Sequence, residues 1–252
     1  MKGLAIDDAA WSSRWRERAV LDKACLSLGL LLVAAVLPPW PTSPLVAVVA
    51  LGLLVGRAGT PAALVVRALR GPLVFIAIGC ASVAVVVTTV GGFSLSVTPA
   101  STDRALGVAG HAVAGCSAML LLAMTTPMVD LLAGLRRLRL PEACVEVAGL
   151  IYRMLFILLE SIGTIRESQA ARLGYSSARR SLRSAGMLTA ATLTRSWSRA
   201  RRLEEGLAGR ELTGSLQTLD DPVPSSRAFL SASAALLVGL VALASLTTGV
   251  AG

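Results

Sequence analysis

The stretch PLVFIAIGCASVAVVVTTV, residues 72–90, decides the class of this protein, because none of its side chains carries a charge. Residues 105–129 and 228–250 are equally free of Asp, Glu, Lys and Arg. A helix that crosses the hydrocarbon core of a membrane needs about 20 consecutive apolar residues. The sequence therefore predicts a membrane-spanning helix over each of these three stretches.

The composition of the whole chain agrees with a membrane protein. Hydrophobic residues make up 54% of the sequence and charged residues only 15%, which is too few to cover a water-exposed surface. The net charge of +9 is also compatible with nucleic-acid binding, but aromatic residues, on which bases stack, are only 4%. We therefore expect membrane lipids rather than nucleic acid as partners of the basic residues.

Two shorter apolar runs precede these stretches, at Ala24–Leu37 and Leu45–Gly56, with Pro38, Pro39, Pro41 and Pro44 between them. A helix does not continue through such a group of prolines. The two runs are predicted to form a short helical hairpin with legs of only about 20 Å. We therefore expect local thinning of the membrane, capping of the legs by neighbouring protein, or a hairpin that does not cross fully. The predicted fold is thus an all-α integral membrane protein with about five transmembrane helices and two to three cytoplasmic coupling helices.

The basic residues predict the orientation, because short cytoplasmic loops retain Lys and Arg. With the hairpin counted as two legs, Arg104 alone of the 24 Lys and Arg residues falls in an outside loop. The amino terminus is therefore predicted to lie inside. The expected organisation is a head at 1–23, a four-helix membrane region at 24–135, coupling helices at 136–219, and a linker with the last span at 220–252.

Residues 147–163 are mostly apolar but are not predicted to span. Arg153 would cost about 2.5 to 3.5 kcal/mol at the centre of a membrane. A long helix that starts after Pro141 is expected here instead. Residues 176–186, SSARRSLRSAG, are predicted to form a short basic helix, followed by an amphipathic one over Met187–Leu212.

Residue sets that would support catalysis are missing from the sequence. It contains no Gly-rich phosphate loop, no Ser-His-Asp set and no paired carboxylates at membrane depth. His111 is the single histidine and is expected to be a structural residue with one hydrogen bond rather than a proton relay or ligand. We expect a chain that is not itself an enzyme and holds no cofactor, so that any ATP must be bound by a partner subunit.

Two blocks of the sequence resemble a known family. The head IDDAAWSSRWRERAVLDKACLSLGLLL, residues 6–32, and the block TTPMVDLLAGLRRLRLPEACVEVAGLIYRMLFILLESIGTIRESQAARLGYSS, residues 125–177, are similar to the CbiQ-type transmembrane (T) component of energy-coupling factor transporters. These transporters are ABC importers of metal ions and vitamins. The resemblance covers essentially the whole chain and is closest to the cobalt or nickel branch, with a vitamin importer as the alternative.

The resemblance implies partners and a coupling site. A T component of the bacterial cell membrane docks on two ABC ATPase subunits and holds a separate, CbiM-like substrate-binding subunit. Each of two coupling helices ends in a small-residue/Arg/small-residue motif. The first corresponds to Ala171, Arg172 and Leu173, and the second to Gly209, Arg210 and Glu211, where Glu211 departs from the expected small residue.

The residues themselves give a separate reason to consider the two arginines. Arg172 lies just before Gly174, and Arg210 before Gly214, so each is expected near a left-handed helix end. A guanidinium group there suits a partner's carboxylate or backbone carbonyls. The alternative is that each arginine only complements the negative end of its helix dipole.

Three further residues are candidates for a supporting role. Pro127 is expected either to act as a hinge or to make a simple kink whose freed carbonyl is bonded by a Thr hydroxyl. Asp130 is expected to pair with Arg136, Arg137 or Arg153. A membrane enzyme, a self-sufficient channel or carrier, and a membrane-anchored nucleic-acid binder are the alternatives from other functional classes.

Overall fold

The computed structural model describes residues 5–88, 94–137, 141–208 and 223–250. Nearly all of these residues are helical. In chain order the elements are α1 (Ala5–Ser12), α2 (Val20–Val36), α3 (Pro39–Gly52), α4 (Ala62–Ala84), β1 (Val85–Thr88), β2 (Ser94–Val97), α5 (Pro99–Thr125), α6 (Met128–Arg137), α7 (Glu142–Ala171), α8 (Ala178–Ala208) and α9 (Arg227–Val250). A π-helical turn over Leu53–Arg57 extends α3.

Four helical stretches of the described chain are long and apolar enough to cross a membrane: Pro39–Arg57, Ala62–Ala84, Pro99–Thr125 and Arg227–Leu246. The all-helical membrane fold is thereby confirmed. Helix α2 has 17 residues, which at 1.5 Å per residue is a few Å shorter than a hydrocarbon core of about 30 Å. The full count of five spans and the inside position of the amino terminus remain predictions.

The span predicted at 72–90 is displaced in the structure. Helix α4 begins at Ala62 and ends at Ala84, so it includes Arg67 and Arg70, which precede the predicted span. Residues Val85–Thr88 form a strand paired antiparallel with Ser94–Val97. A run of Val and Thr stabilises an extended backbone, and hydropathy alone does not distinguish such a strand from the end of a helix.

The second leg of the hairpin is longer than predicted. Helix α3 starts at Pro39, six positions before the expected Leu45, because a proline in the first turn of a helix has no N–H to leave unpaired and its φ already suits the helix. The regular helix starts only after Trp40, with Pro41 in its first turn and Pro44 inside it. Trp40 itself departs from helical geometry with φ −114° and ψ 127°.

Two compact units divide the chain, Met1–Gly134 with Asp221–Gly252 and Leu135–Asp220. In the first unit, α2, α3 and α5 pack together around fully buried Leu30, Val46, Ala118 and Leu121. Close approach depends on small residues, as it does between membrane helices. A methyl group added to Gly110 would lie 3.1 Å from the Ser43 Cβ atom.

The outer surface of the first unit is strongly apolar. Phe75 on α4 is 79% exposed and Val36 on α2 is 77% exposed. Large apolar side chains are similarly exposed on α9, among them Val238 and Leu246. Such helices are solvated by lipid rather than by water.

The second unit contains α7 and α8. Helix α7, Glu142–Ala171, begins directly after Pro141, as predicted. The prediction of two basic helices after residue 176 is wrong, because α8 is one helix from Ala178 to Ala208. Gly186 does not break the helix, because a single glycine costs a helix only about 1 kcal/mol.

Candidate functional site

The turn between α7 and α8 holds the first predicted coupling motif, and it ends α7 in a Schellman motif. The Gly174 N–H donates to the Gln169 carbonyl at 2.8 Å, and the Leu173 N–H donates to the Ala170 carbonyl at 3.0 Å. These are the two bonds that define this type of helix end. Arg172 is the last residue of the helical turn and acts as its C-cap.

The left-handed residue of this helix end is Leu173, with φ 55°, and not Gly174 as predicted. Glycine is needed at position 174 for a different reason. A Cβ atom at Gly174 would lie 2.7 Å from the Ser184 Oγ atom and 2.8 Å from the Gln169 carbonyl oxygen. Position 174 therefore requires glycine because α7 and α8 approach closely there. The left-handed backbone conformation is adopted by Leu173 instead.

Side chains outside the motif hold this turn in place. The Gln169 side chain accepts from the Tyr175 hydroxyl at 2.7 Å and donates to the Ser184 carbonyl at 3.0 Å. Ser184 Oγ donates to the Gly174 carbonyl at 2.9 Å. Sequence reasoning missed Gln169 and Ser184, because ordinary polar residues inside a helix give no local signal of a contact between helices.

The motif residues themselves face solvent. Ala171, Arg172 and Leu173 are all exposed, Leu173 by 67%. The Arg172 guanidinium makes no hydrogen bond or ion pair with any other described residue. An arginine fork with all its donors available, on a turn held by side-chain hydrogen bonds, is suited to bind a carboxylate or a group of carbonyl oxygens on another protein.

The second predicted motif, Gly209, Arg210 and Glu211, lies outside the described residues. Helix α8 is described as far as Ala208. The role of these three residues therefore stays a prediction.

Pro127 lies at a break between two helices. Helix α5 ends at Thr125, Thr126 is extended, and α6 begins at Met128. The Thr125 hydroxyl donates to the Leu121 carbonyl at 2.5 Å. The structure thus shows a complete break in the helix. The Thr125 hydroxyl bonds the Leu121 carbonyl and not the Ala123 carbonyl, which Pro127 leaves without its N–H donor, so the choice between a hinge and a kink stays a prediction.

Lys23, at the end of the head, contacts the residue that precedes this break, and it was not among the predicted site residues. Its side chain is 1% exposed. Its ammonium group donates to the Thr125 carbonyl at 3.0 Å and to the Trp15 carbonyl at 3.3 Å. A Lys next to the first residue of an apolar run was the available signal, since a charge at that position either reaches water or finds buried acceptors.

The surroundings of Lys23 change the pKa of its ammonium group. Lys23 precedes the apolar stretch that begins at Ala24. Burial lowers the pKa of its ammonium group from the usual 10.5 to about 8, and the negative charge of Asp130 opposes this effect. Asp130, expected to pair with an arginine, therefore acts electrostatically on Lys23; its pairing with Arg136 or Arg137 stays a prediction.

Two carboxylates of the amino-terminal region bind backbone N–H groups far along the chain. Asp7 accepts from the Met128 N–H at 3.3 Å, next to the Pro127 break. Asp22, 1% exposed, accepts from the Ser226 N–H at 2.8 Å, one residue before α9 begins. The head therefore contacts the start of α6 and the start of α9.

The remaining candidates are distributed elsewhere. His111 Nδ1 lies 2.5 Å from the Ala34 carbonyl, which is the single hydrogen bond expected of a structural histidine. Arg153 is exposed on α7 and lines a groove shared with α8. Over the described ranges, no group of three His, Cys, Asp or Glu residues is placed to hold a metal ion.

Fold and site together define a class: a helical, multi-pass membrane protein with an exposed arginine at the turn of a long helical hairpin. The family model described as CbiQ, cobalt transport protein, matches residues 12–219. The chain belongs to this CbiQ family and is a multi-pass protein of the bacterial cell membrane.

Relatives agree with this assignment. The cobalt transport protein CbiQ of Rhodobacter capsulatus is 38% identical over 215 residues, which cover 85% of this chain and 87% of the relative. The CbiQ protein of Salmonella typhimurium is 28% identical over 75% of this chain and 88% of its own length. The fused cobalt transport protein CbiMQ of Methanocorpusculum labreanum is 27% identical over 77% of this chain and 34% of that longer protein.

Proposed function

We propose that the chain is the coupling (T) subunit of an energy-coupling factor ABC importer for cobalt. The observation that carries the proposal is Arg172, which is exposed and free of partners within the described chain, on a turn fixed by Gln169 and Ser184. An arginine with no intramolecular role at a rigid turn is suited to a protein partner. Membership of the cobalt transport family supports cobalt as the transported ion.

The partners in this proposal are two ATPase subunits and one substrate-binding membrane subunit. The fused CbiMQ relative has a CbiQ-like part joined to a second part in one chain, which supports a CbiM-like partner for the present protein. The ATPases bind and hydrolyse ATP, and this chain is proposed to be non-catalytic and to hold no cofactor of its own.

Transport in this proposal is a transfer of displacement. When the ATPase subunits close on ATP, they move the two coupling motifs. The first is the turn with Ala171, Arg172 and Leu173, and the second is formed by Gly209, Arg210 and Glu211. Helix α7 is 30 residues long, about 45 Å at 1.5 Å per residue, and an unbroken helix of that length transmits displacement along its axis. The Pro127 break provides a point at which α5 and α6 change their angle.

The test is Arg172→Ala in the complete complex, coexpressed with its ATPase and substrate-binding subunits. Removing one partner of a buried interfacial charge pair costs about 2 to 5 kcal/mol, so recovery of the ATPases and cobalt uptake should fall at least tenfold. The Arg172→Ala/Arg210→Ala double variant should lose both. The matched control is Arg104→Ala, which removes an exposed arginine near the start of α5, outside both coupling motifs.

Full cobalt uptake and an intact complex in the double variant would overturn the assignment of these arginines. Uptake of cobalt by vesicles that contain this chain alone would overturn the coupling role itself and favour a self-sufficient carrier. We expect added nickel to reduce cobalt uptake and added vitamins to leave it unchanged.

A further inference from the structure

An open groove of about 1250 Å³ runs between α7 and α8. The helices are held together near their turn by the Gln169 and Ser184 bonds, and the groove lies away from that turn. One of its walls is apolar and includes Leu150, Met154 and Ile157 of α7. The volume exceeds the range of about 300 to 1,000 Å³ typical of small-molecule pockets, so the groove has room for a ligand with a long chain.

Positive charge is concentrated in the same groove. Arg153 of α7 and Arg195, Arg199 and Arg202 of α8 line it, and its described lining residues include no Asp or Glu. A guanidinium group stays charged at every physiological pH. Four such groups around one groove repel each other unless an anion lies among them.

Two of these arginines are already held by hydrogen bonds, and two are free. Arg195 donates to the Ser161 hydroxyl at 2.6 Å, and Arg202 donates to the Ser198 carbonyl at 3.2 Å. Arg153 and Arg199 make no polar contact with another described residue. The guanidinium fork matches the oxygens of a phosphate group, so the groove has fixed and free donors for one.

The lining of the groove indicates where the phosphate comes from. Leu150, Met154 and Ile157 lie in the same groove as Arg153, so an anion bound there has an apolar wall beside it. Leu193 and Trp197 of α8 are also 69% and 72% exposed. A helix with a basic face and exposed Trp and Leu is typical of the membrane interface. Basic sites on such helices attract anionic lipid headgroups.

We propose that the groove between α7 and α8 is a binding site for an anionic phospholipid. The phosphodiester group lies among Arg153, Arg199 and Arg202, and an acyl chain packs along the apolar wall of α7. This site does not depend on the proposed coupling function, because it requires only the second unit and a membrane.

The test is native mass spectrometry of the full-length protein, delipidated in neutral detergent and titrated with phosphatidylglycerol or phosphatidylcholine. Phosphatidylglycerol is expected to bind more tightly. Each arginine near an anionic headgroup contributes about a fivefold change in affinity, so Arg199→Gln/Arg202→Gln should weaken phosphatidylglycerol binding about thirtyfold. Arg179→Gln/Arg183→Gln, with the same loss of charge at exposed positions of α8 outside the groove, should change it less than twofold.

Four results would overturn the proposal. Equal binding of both lipids, or equal losses in the two double variants, would show that the groove does not select the headgroup. Competition by inorganic phosphate at the same concentration as phosphatidylglycerol would make it a site for a free anion. A photo-crosslinker at Ile157 that captures a protein subunit in native membranes, and no phospholipid, would make it a docking site for an acidic helix.

Discussion

The strained end of α7 leads to a paired prediction for neighbouring positions. Leu173 adopts φ 55°, a left-handed conformation that costs a non-glycine residue roughly 1 to 2 kcal/mol. Leu173→Gly should remove most of this cost and stabilise the helix end by about 1 kcal/mol, after the greater flexibility of unfolded glycine is subtracted. Gly174→Ala should do the opposite.

The expected loss in Gly174→Ala follows from two contacts. The new methyl group would lie 2.8 Å from the backbone oxygen of Gln169 and 2.7 Å from the Ser184 hydroxyl. Backbone atoms cannot rotate away as a side chain does, so the turn must open and the Gly174 bonds to Gln169 and from Ser184 weaken. Each such bond contributes about 0.5 to 1.5 kcal/mol, which gives a loss of about 1 to 3 kcal/mol.

Hydrogen exchange of a peptide covering residues 169–176 measures both effects. Leu173→Gly should slow exchange about fivefold, and Gly174→Ala should accelerate it between about fivefold and a hundredfold, since about 1.4 kcal/mol corresponds to a factor of ten. Gly163→Ala is the control, because a methyl group there meets nothing within 4 Å. Faster exchange in Leu173→Gly, or unchanged exchange in Gly174→Ala, would refute the account of this helix end.

Two further predictions concern the first unit. Lys23→Met removes a buried ammonium group together with its hydrogen bond to the Thr125 carbonyl. The pKa of Lys23 is about 8 in the folded protein and 10.5 when unfolded, so the unfolded state binds more protons between these pH values. Wild type should therefore gain stability relative to the variant as pH rises from about 8 to 10.5. Thermal unfolding in detergent measures the difference, and a wild type that loses stability relative to the variant with rising pH would contradict the burial of the ammonium group. Gly110→Val would force a side chain against Ser43 between α3 and α5 and should cost about 1 to 3 kcal/mol. Gly79→Val, at an exposed position where an added Cβ meets nothing within 4 Å, should lower the melting temperature much less, and equal effects would refute the tight packing.

The sequence predicted the helical membrane class because hydropathy is a property of single residues summed over a window. It misplaced the boundaries of α4 because Val85–Thr88 is equally apolar as helix or strand. The pairing of this strand with Ser94–Val97 depends on a partner, which no window around residue 85 contains. The start of α3 at Pro39 was missed because a proline was read as a helix breaker at a position where it begins a helix.

The site was predictable in part for similar reasons. The position of a helix end near Arg172 followed from the nearby glycine. Gly174 itself is required by the closeness of Ser184, ten residues further along the chain, and not by a left-handed conformation, which Leu173 adopts instead. Lys23 was visible only as one basic residue of the head. Its partner Thr125 is 102 residues away, and the sequence alone does not indicate such a contact.

The hydrogen bond from Ser226 to Asp22 spans 204 residues and has a consequence for synthesis. When α2 leaves the ribosome, nearly the whole chain has still to be translated before the acceptor oxygen of Asp22 meets its donor. Until the last helix is inserted, this carboxylate must keep water or a chaperone beside it. The segment that leads into α9 thus supplies the backbone donor for an acid on α2, and a chain interrupted before Ser226 leaves Asp22 without it.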